Sequence, residues 1–174
     1  NGCGKSTLIR TLVGLQDALG GKIEIKNKKL NKISLAEKSK LISWVLTDAM
    51  PTGSLKVSEI VEMGRFPYTN LFGKLSENDK KIIDDAIEAV HLSHKKDYRY
   101  SSLSDGEKQR TMIAKALAQD TPIIFLDEPT SHLDLPNTIE IMQLLQSLAR
   151  KTKKAILLST HELELTLQVA DKIW

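Results

Sequence analysis

The chain has 174 residues, 41% of them apolar and 27% charged, which suits the core of one ordinary domain and excludes a disordered chain. Lys and Arg (25) against Asp and Glu (22) leave a net charge of +3; this admits a phosphate ligand or a membrane surface but lacks the excess of a dedicated nucleic-acid binder. One cysteine excludes a disulfide framework or a multi-cysteine zinc site, and no apolar run approaches the ~18 residues of a membrane span.

In chain order, Ser6 to Gly14 reads as a helix, with Leu8, Ile9, Leu12 and Val13 at helical spacing and Gly14 as its stop. Gly20-Gly21 turns into a strand over 21–26, where Ile23 and Ile25 alternate with charges. Residues 22–40 carry seven lysines against two glutamates, a solvated face rather than a nucleic-acid site. Leu41 to Leu46 is a second strand, and after Pro51 and Gly53 a short helix runs from Val57 to Met63. Ser76 opens a longer helix, with Asp79 three residues on as in a capping box and Ile82, Ile83, Ala86, Ile87 and Val90 facing a core. A further helix spans about Gly106 to Ala118, ended by Pro122.

The composition then changes. Ile123 to Leu126 and Ala155 to Leu158 are short, wholly apolar runs, as expected of strands buried on both faces. Between them Asn137 to Ala149 reads as a helix with Ile141, Leu145 and Leu148 on one stripe. Strands alternating with helices predict an α/β fold with a mostly parallel sheet. Its core would comprise 1–47 and 120–174, with a helical subdomain inserted at about 48–119.

Four segments carry chemistry. Asn1-Gly-Cys-Gly-Lys-Ser-Thr7 places close-set glycines before Lys-Ser at a helix start. Gly2 and Gly4 let backbone N–H groups turn towards an anion, Lys5 supplies a charge to the β- and γ-phosphates, and the Ser6 hydroxyl a ligand for Mg²⁺. The bland reading is a glycine-rich turn, because the first glycine of the full P-loop pattern would lie two positions before Asn1. Cys3, beside Lys5 and a helix N-terminus, sits where a thiolate is favoured. Ile123 to Thr130 sets Asp127 and Glu128 at the end of a buried strand, where α/β folds place ligands. Asp127 suits Mg²⁺ and Glu128 suits an attacking water. Leu103-Ser-Asp-Gly-Glu-Lys-Gln-Arg110 offers the Ser104 hydroxyl and the Gly106 N–H at a helix N-terminus; alone it is only a capped helix start. His161 follows the last buried strand, a place where a lone histidine is more often structural than catalytic.

Together and in this order the segments resemble the ATP-binding subunit of ABC transporters, over essentially the whole chain. Asn1 to Thr7 is similar to the end of Walker A, Leu103 to Glu107 to the Leu-Ser-Gly-Gly-Gln signature, and Ile123 to Glu128 to Walker B. Ser131-His-Leu-Asp134 is similar to the D-loop and His161 to the switch histidine. The resemblance implies a P-loop NTPase core and an ATPase using ATP and Mg²⁺. Catalysis would fall to Glu128 and His161, and nucleotide contacts to Asn1, Gly2, Cys3, Gly4, Lys5, Ser6, Thr7, Ser104, Gly106, Glu107 and Asp134. The metal contacts would be Ser6, Asp127 and Thr47. It further implies a homodimer sandwiching two ATP molecules and a separate membrane permease contacted by the helical subdomain. A solute-binding protein would take part indirectly, no nucleic acid would be bound, and the subunit would lie peripherally at the cytoplasmic face of the membrane.

Three departures stand out. Thr47 occupies the position of the Q-loop glutamine; the signature has Asp105 for its first glycine and Glu107 for its glutamine. The chain also opens at Asn1 with no signal peptide, so it reads as a piece lacking the strand before the P-loop and the adenine-stacking aromatic, and stopping at Trp174 beside a last strand. Such a piece alone is expected to bind MgATP weakly. Met63-Gly-Arg-Phe-Pro-Tyr68 and Glu128 to Leu135 resemble the subgroup importing iron–siderophore complexes, haem or cobalamin, although Met63 to Tyr68 also reads as a helix end with a turn. A soluble ABC-type ATPase acting on ribosomes or DNA is the alternative, but only 98 residues (6–103) separate Lys5 from Ser104, leaving no room for a coiled coil. Asp17-Ala-Leu-Gly20 matches a GTPase motif, but no Asn-Lys-x-Asp accompanies it.

Overall fold

A computed structural model describes residues 4–46, 54–69 and 73–174. Helix α1 (Lys5–Leu12) leads to a hairpin of β1 (Glu24–Ile25) and β2 (Lys28–Lys29), a single turn α2 (Leu35–Lys38) and strand β3 (Ile42–Val45). Helices α3 (Val57–Glu62), α4 (Glu77–Ala89) and α5 (Asp105–Ala118) come next. Strand β4 (Ile123–Asp127), helix α6 (Leu135–Thr152), strand β5 (Ala155–Ser159) and helix α7 (Leu163–Val169) complete the order.

The strands β3, β4 and β5 form a parallel sheet in that order, with β4 central. Period-two alternation divides their side chains between two layers. Val45, Ile124, Leu126, Ile156 and Leu158 enter the core shared with α3, α4, α5 and α6. Ile42, Trp44, Phe125 and Leu157 point the other way, onto Ile9 of α1, Val13 at its C-terminal cap and Leu30. The sheet is therefore covered on both faces, which explains the apolar run of β4, and the crossovers leave the C-terminal strand ends beside the start of α1. The expected α/β architecture, with helices inserted between two parallel strands, is the architecture observed.

Local chemistry sets the boundaries. Gly4 adopts a left-handed φ of 88°, and α1 starts one residue earlier than predicted. Gly14 is not inside the helix; at φ 78° its N–H donates to the Thr11 carbonyl and the Leu15 N–H to that of Arg10, a Schellman stop that glycine favours. The box predicted at Ser76 and Asp79 is present, and Ile83, Ala86, Ile87 and Val90 are buried while Ile82 packs at the core margin. Helix α6 begins at Leu135 because Asp134 caps it, accepting from the Asn137 N–H.

Several expectations need correction. The strand over 21–26 is only Glu24–Ile25, because Lys26 and Asn27 both take positive φ (49° and 64°) and fold it back on Lys28–Lys29, as tight hairpin turns require. The lysine-rich stretch keeps its lysines outward but holds a helical turn, capped reciprocally by Ser34 and Glu37, over buried Leu30 and Ile33. Strand β5 is less covered than its composition suggests: Ile156, Leu157 and Leu158 are half-buried and Ala155 exposed, since β5 pairs only with β4 among the described residues. No strand forms at 171–174.

Met63 to Tyr68 is a 3₁₀ turn with a packing role. A Cβ on Gly64 would lie 2.3 Å from the Lys115 carbonyl oxygen, so this turn approaches α5 as only glycine allows. Next to it, Arg65 is 4% exposed. It pairs with Asp79 at 2.8 Å, donates to the Ala118 carbonyl and stacks on Tyr68 with 4.0 Å to the ring centre. One arginine thus ties α4 to the end of α5.

Candidate active site

Strand β4 ends in Asp127, and the chain turns at once: Glu128 takes a left-handed φ of 46°, a conformation costing a non-glycine residue about 1–2 kcal/mol. Asp127 is 2% exposed. Its Oδ1 accepts from the Ser6 Oγ at 3.0 Å and from the Ser159 Oγ at 2.7 Å. Ser6 belongs to the first turn of α1, and Ser159 is the register partner of Asp127 on β5. Lys5 Nζ stands 3.8 Å from Glu128 Oε1, and His161 Nδ1 4.0 Å from Glu128 Oε2. Lys5, Ser6, Asp127, Glu128 and His161, up to 156 positions apart in sequence, thus share one end of the sheet. Thr7 continues α1, its carbonyl accepting from the Thr11 hydroxyl.

A second group forms at the start of α5. Ser104 caps the helix, its Oγ accepting from the Glu107 N–H while Glu107 Oε2 accepts from the Ser104 N–H. The other Glu107 oxygen accepts from Lys95, and that ammonium group, foremost, holds the Glu107 carboxyl below the usual carboxylate range. Asp105 lies outward and pairs with Lys108 at 3.0 Å. Both acidic departures in this segment are therefore balanced by a lysine of the same chain. A Cβ on Gly106 would meet Asn137 Oδ1 at 2.6 Å, and Asp134 accepts from both the backbone and side-chain N–H groups of Asn137. Gly106 and Asp134 are thereby brought together through one asparagine. Asn1, Gly2, Cys3 and Thr47 lie outside the described residues.

Two participants escaped the sequence reading. Lys95 is 12 positions from Glu107, at the end of a short 3₁₀ helix (Ser93–Lys95), and carries no local signal. Ser159 did carry one: a small hydroxyl closing an apolar strand two residues before His161.

The donor set fits a nucleotide and its metal. Among the described residues nothing lies within 4 Å of a Cβ built on Gly4, which leaves room beside the N-terminus of α1, where a helix favours a bound phosphate. One hydroxyl and one carboxylate, Ser6 and Asp127, sit together; Mg²⁺ takes few protein ligands and completes its shell with phosphate and water. Among the described residues no cluster of three or more His, Cys, Asp or Glu is arranged for a protein-only metal site.

Comparison with known proteins agrees. An uncharacterized ABC transporter ATP-binding protein of Methanocaldococcus jannaschii is 40% identical over 173 residues, covering 99% of this chain and 60% of that protein. The iron(3+)-hydroxamate import ATP-binding protein of Bacillus subtilis is 38% identical over 164 residues, covering 94% and 61%. The chain thus spans about three fifths of the length of these relatives. Among solved structures, a metal-chelate type ABC transporter in an inward-facing conformation superposes with a TM-score of 0.85 at 33% identity, over 98% of this chain and 64% of that one. A dimeric bacterial ABC transporter cassette superposes with a TM-score of 0.77 at 29% identity, over 93% and 72%. Residues 1–131 match the family described as ABC transporter, and with the fold and the paired Ser6–Asp127 site this chain belongs to that family.

Proposed function

We propose that the chain is the ATP-hydrolysing motor of an ABC importer, powering uptake of an iron complex, haem or cobalamin through a separate membrane permease. The observation that carries the reading is the convergence of Ser6 and Lys5 on Asp127 and Glu128 at one end of the sheet. Lys5 holds the β- and γ-phosphates, and Asn1, Gly2, Cys3, Gly4 and Thr7 complete the cradle. Ser6 and Asp127, with Thr47, would hold Mg²⁺, which when bound would neutralise phosphate charge. Glu128 accepts a hydrogen bond from the attacking water and takes its proton, while His161 keeps that carboxylate oriented.

Ser104, Gly106 and Glu107, with Asp134, would complete the site across a homodimer, as the likeness to a dimeric cassette supports. The division proposed is an α/β core of 1–47 and 120–174 that handles nucleotide and a helical subdomain of about 48–119 that meets the permease. The likeness to a hydroxamate importer and to a metal-chelate transporter supports the cargo. The likeness to a hydroxamate import ATP-binding protein supports a peripheral subunit at the cytoplasmic face; no helix among the described residues is long and apolar enough to cross a membrane.

The test is calorimetric titration of the intact protein with MgATP, paired with uptake of radiolabelled ferric siderophore by cells lacking it. Lys5→Ala should weaken binding about 10- to 100-fold, the worth of a charge-assisted phosphate contact, and should fail to restore uptake. Unchanged affinity, or full uptake with Lys5→Ala, would contradict the proposal.

A further inference from the structure

We propose that Ser159 is a positioning residue that aims both carboxylates of the site, so that metal-dependent nucleotide binding depends on its hydroxyl. The inference rests on the ATPase reading above. Ser159 is 7% exposed at the end of β5, and its single hydroxyl is committed in both directions. The Oγ donates to Asp127 Oδ1 at 2.7 Å and accepts from the Glu128 N–H at 2.9 Å. Neither role can reverse: an ionised carboxylate only accepts and a backbone N–H only donates. The hydroxyl proton therefore points at Asp127 and a lone pair at Glu128.

Each bond does something distinct. The first, with the bond from Ser6, fixes the rotation of the Asp127 carboxylate, and such outer partners of a metal ligand commonly govern affinity. The second anchors the backbone of Glu128 at its left-handed turn (φ 46°). Without it a half-buried N–H loses that partner. The parallel register, Asp127 opposite Ser159, makes the geometry a property of the sheet rather than of a mobile loop. Apolar residues fill β5 before it, from Ala155 to Leu158, so the hydroxyl at its end departs from the composition of the strand.

The experiment titrates ATP into the intact protein twice, with Mn²⁺ and with EDTA, and follows bound Mn²⁺ by its paramagnetic resonance. Ser159→Ala should weaken Mn²⁺ binding in the presence of ATP about 10- to 100-fold, leave ATP affinity in EDTA at the wild-type value, and lower kcat. Ser159→Thr, which keeps the hydroxyl, should restore the Mn²⁺ affinity. Ser159→Cys keeps the size with a weak donor and should fall between them; it reads the same bonds if the alanine variant does not fold. Wild-type Mn²⁺ affinity in both the alanine and cysteine variants would overturn the inference, as would an equal loss of affinity in EDTA. Wild-type protein that binds no ATP under either condition would instead overturn the ATPase reading, and this inference with it.

Discussion

Ser6 Oγ donates to Asp127 Oδ1 at 3.0 Å across 121 positions of sequence. The bond joins the first turn of α1 to the end of the central strand, so two of the three protein ligands proposed for Mg²⁺ are already adjacent. Adjacent ligands lose little freedom when a metal arrives, which is why their contact favours binding.

Ser6→Ala should therefore weaken MgATP binding roughly tenfold or more, in the range found for groups that orient a metal site. ATP affinity in EDTA should change little, because Lys5 and the loop backbone remain. Titration calorimetry with and without Mg²⁺ separates the two; equal losses in both would mean that Ser6 serves the fold and not the metal.

The approach of Gly106 to Asn137 makes a second prediction. Gly106→Ala drives a Cβ to 2.6 Å from the amide oxygen, an overpacking that should cost about 1–3 kcal/mol. Adding Asn137→Ala removes the obstacle, so the double variant should recover much of that loss and show a clear coupling energy in denaturant unfolding. Strictly additive effects would show that the two helix starts do not press on each other.

Arg65 and Asp79 are both buried and paired. Arg65→Ala leaves the Asp79 carboxylate without its cation and opens a cavity beside Tyr68; the expected loss is about 3–5 kcal/mol by chemical denaturation. The hydroxyl and backbone N–H of Ser76, and then Arg65, hold the Asp79 carboxyl below the usual carboxylate range. Its folded pKa is thus lower than its unfolded value of about 3.9. The stability it contributes is present above the unfolded value and is lost as pH falls through the folded one. Asp79→Asn should flatten the fall in stability below about pH 4. An unchanged acid limb in that variant would contradict the assignment.

Much of this was legible in the sequence because single local signals agreed with the final packing. The apolar run of β4, the capping box at Ser76 and the stripe of Ile141, Leu145 and Leu148 each name their partner layer without further information. Other features depended on long-range closure. Arg65 reads as a surface residue until Asp79 and Ala118 close on it. Lys95 balances Glu107 only because the 3₁₀ turn at Ser93–Lys95 folds back on α5. Ser34 and Glu37 had the spacing of a capping box, yet the lysines around them read as solvated surface and masked it. Lys26-Asn27 lacks the glycine usual in tight hairpins, so the turn was missed. At the site, Lys5, Ser6, Asp127, Glu128 and His161 were read from their order and residue type, whereas Ser159 emerged only when the strand register set it opposite Asp127.

The most direct test is Glu128→Gln in the intact protein, with MgATP affinity and phosphate release measured on one preparation. The substitution leaves Asp127, Ser6 and Lys5 in place and removes the carboxylate proposed to take the proton from water. Wild-type affinity with turnover lowered at least about 100-fold is the predicted result, the scale of losing a general base. Near-normal hydrolysis would show that Glu128 does not activate water and would contradict the account.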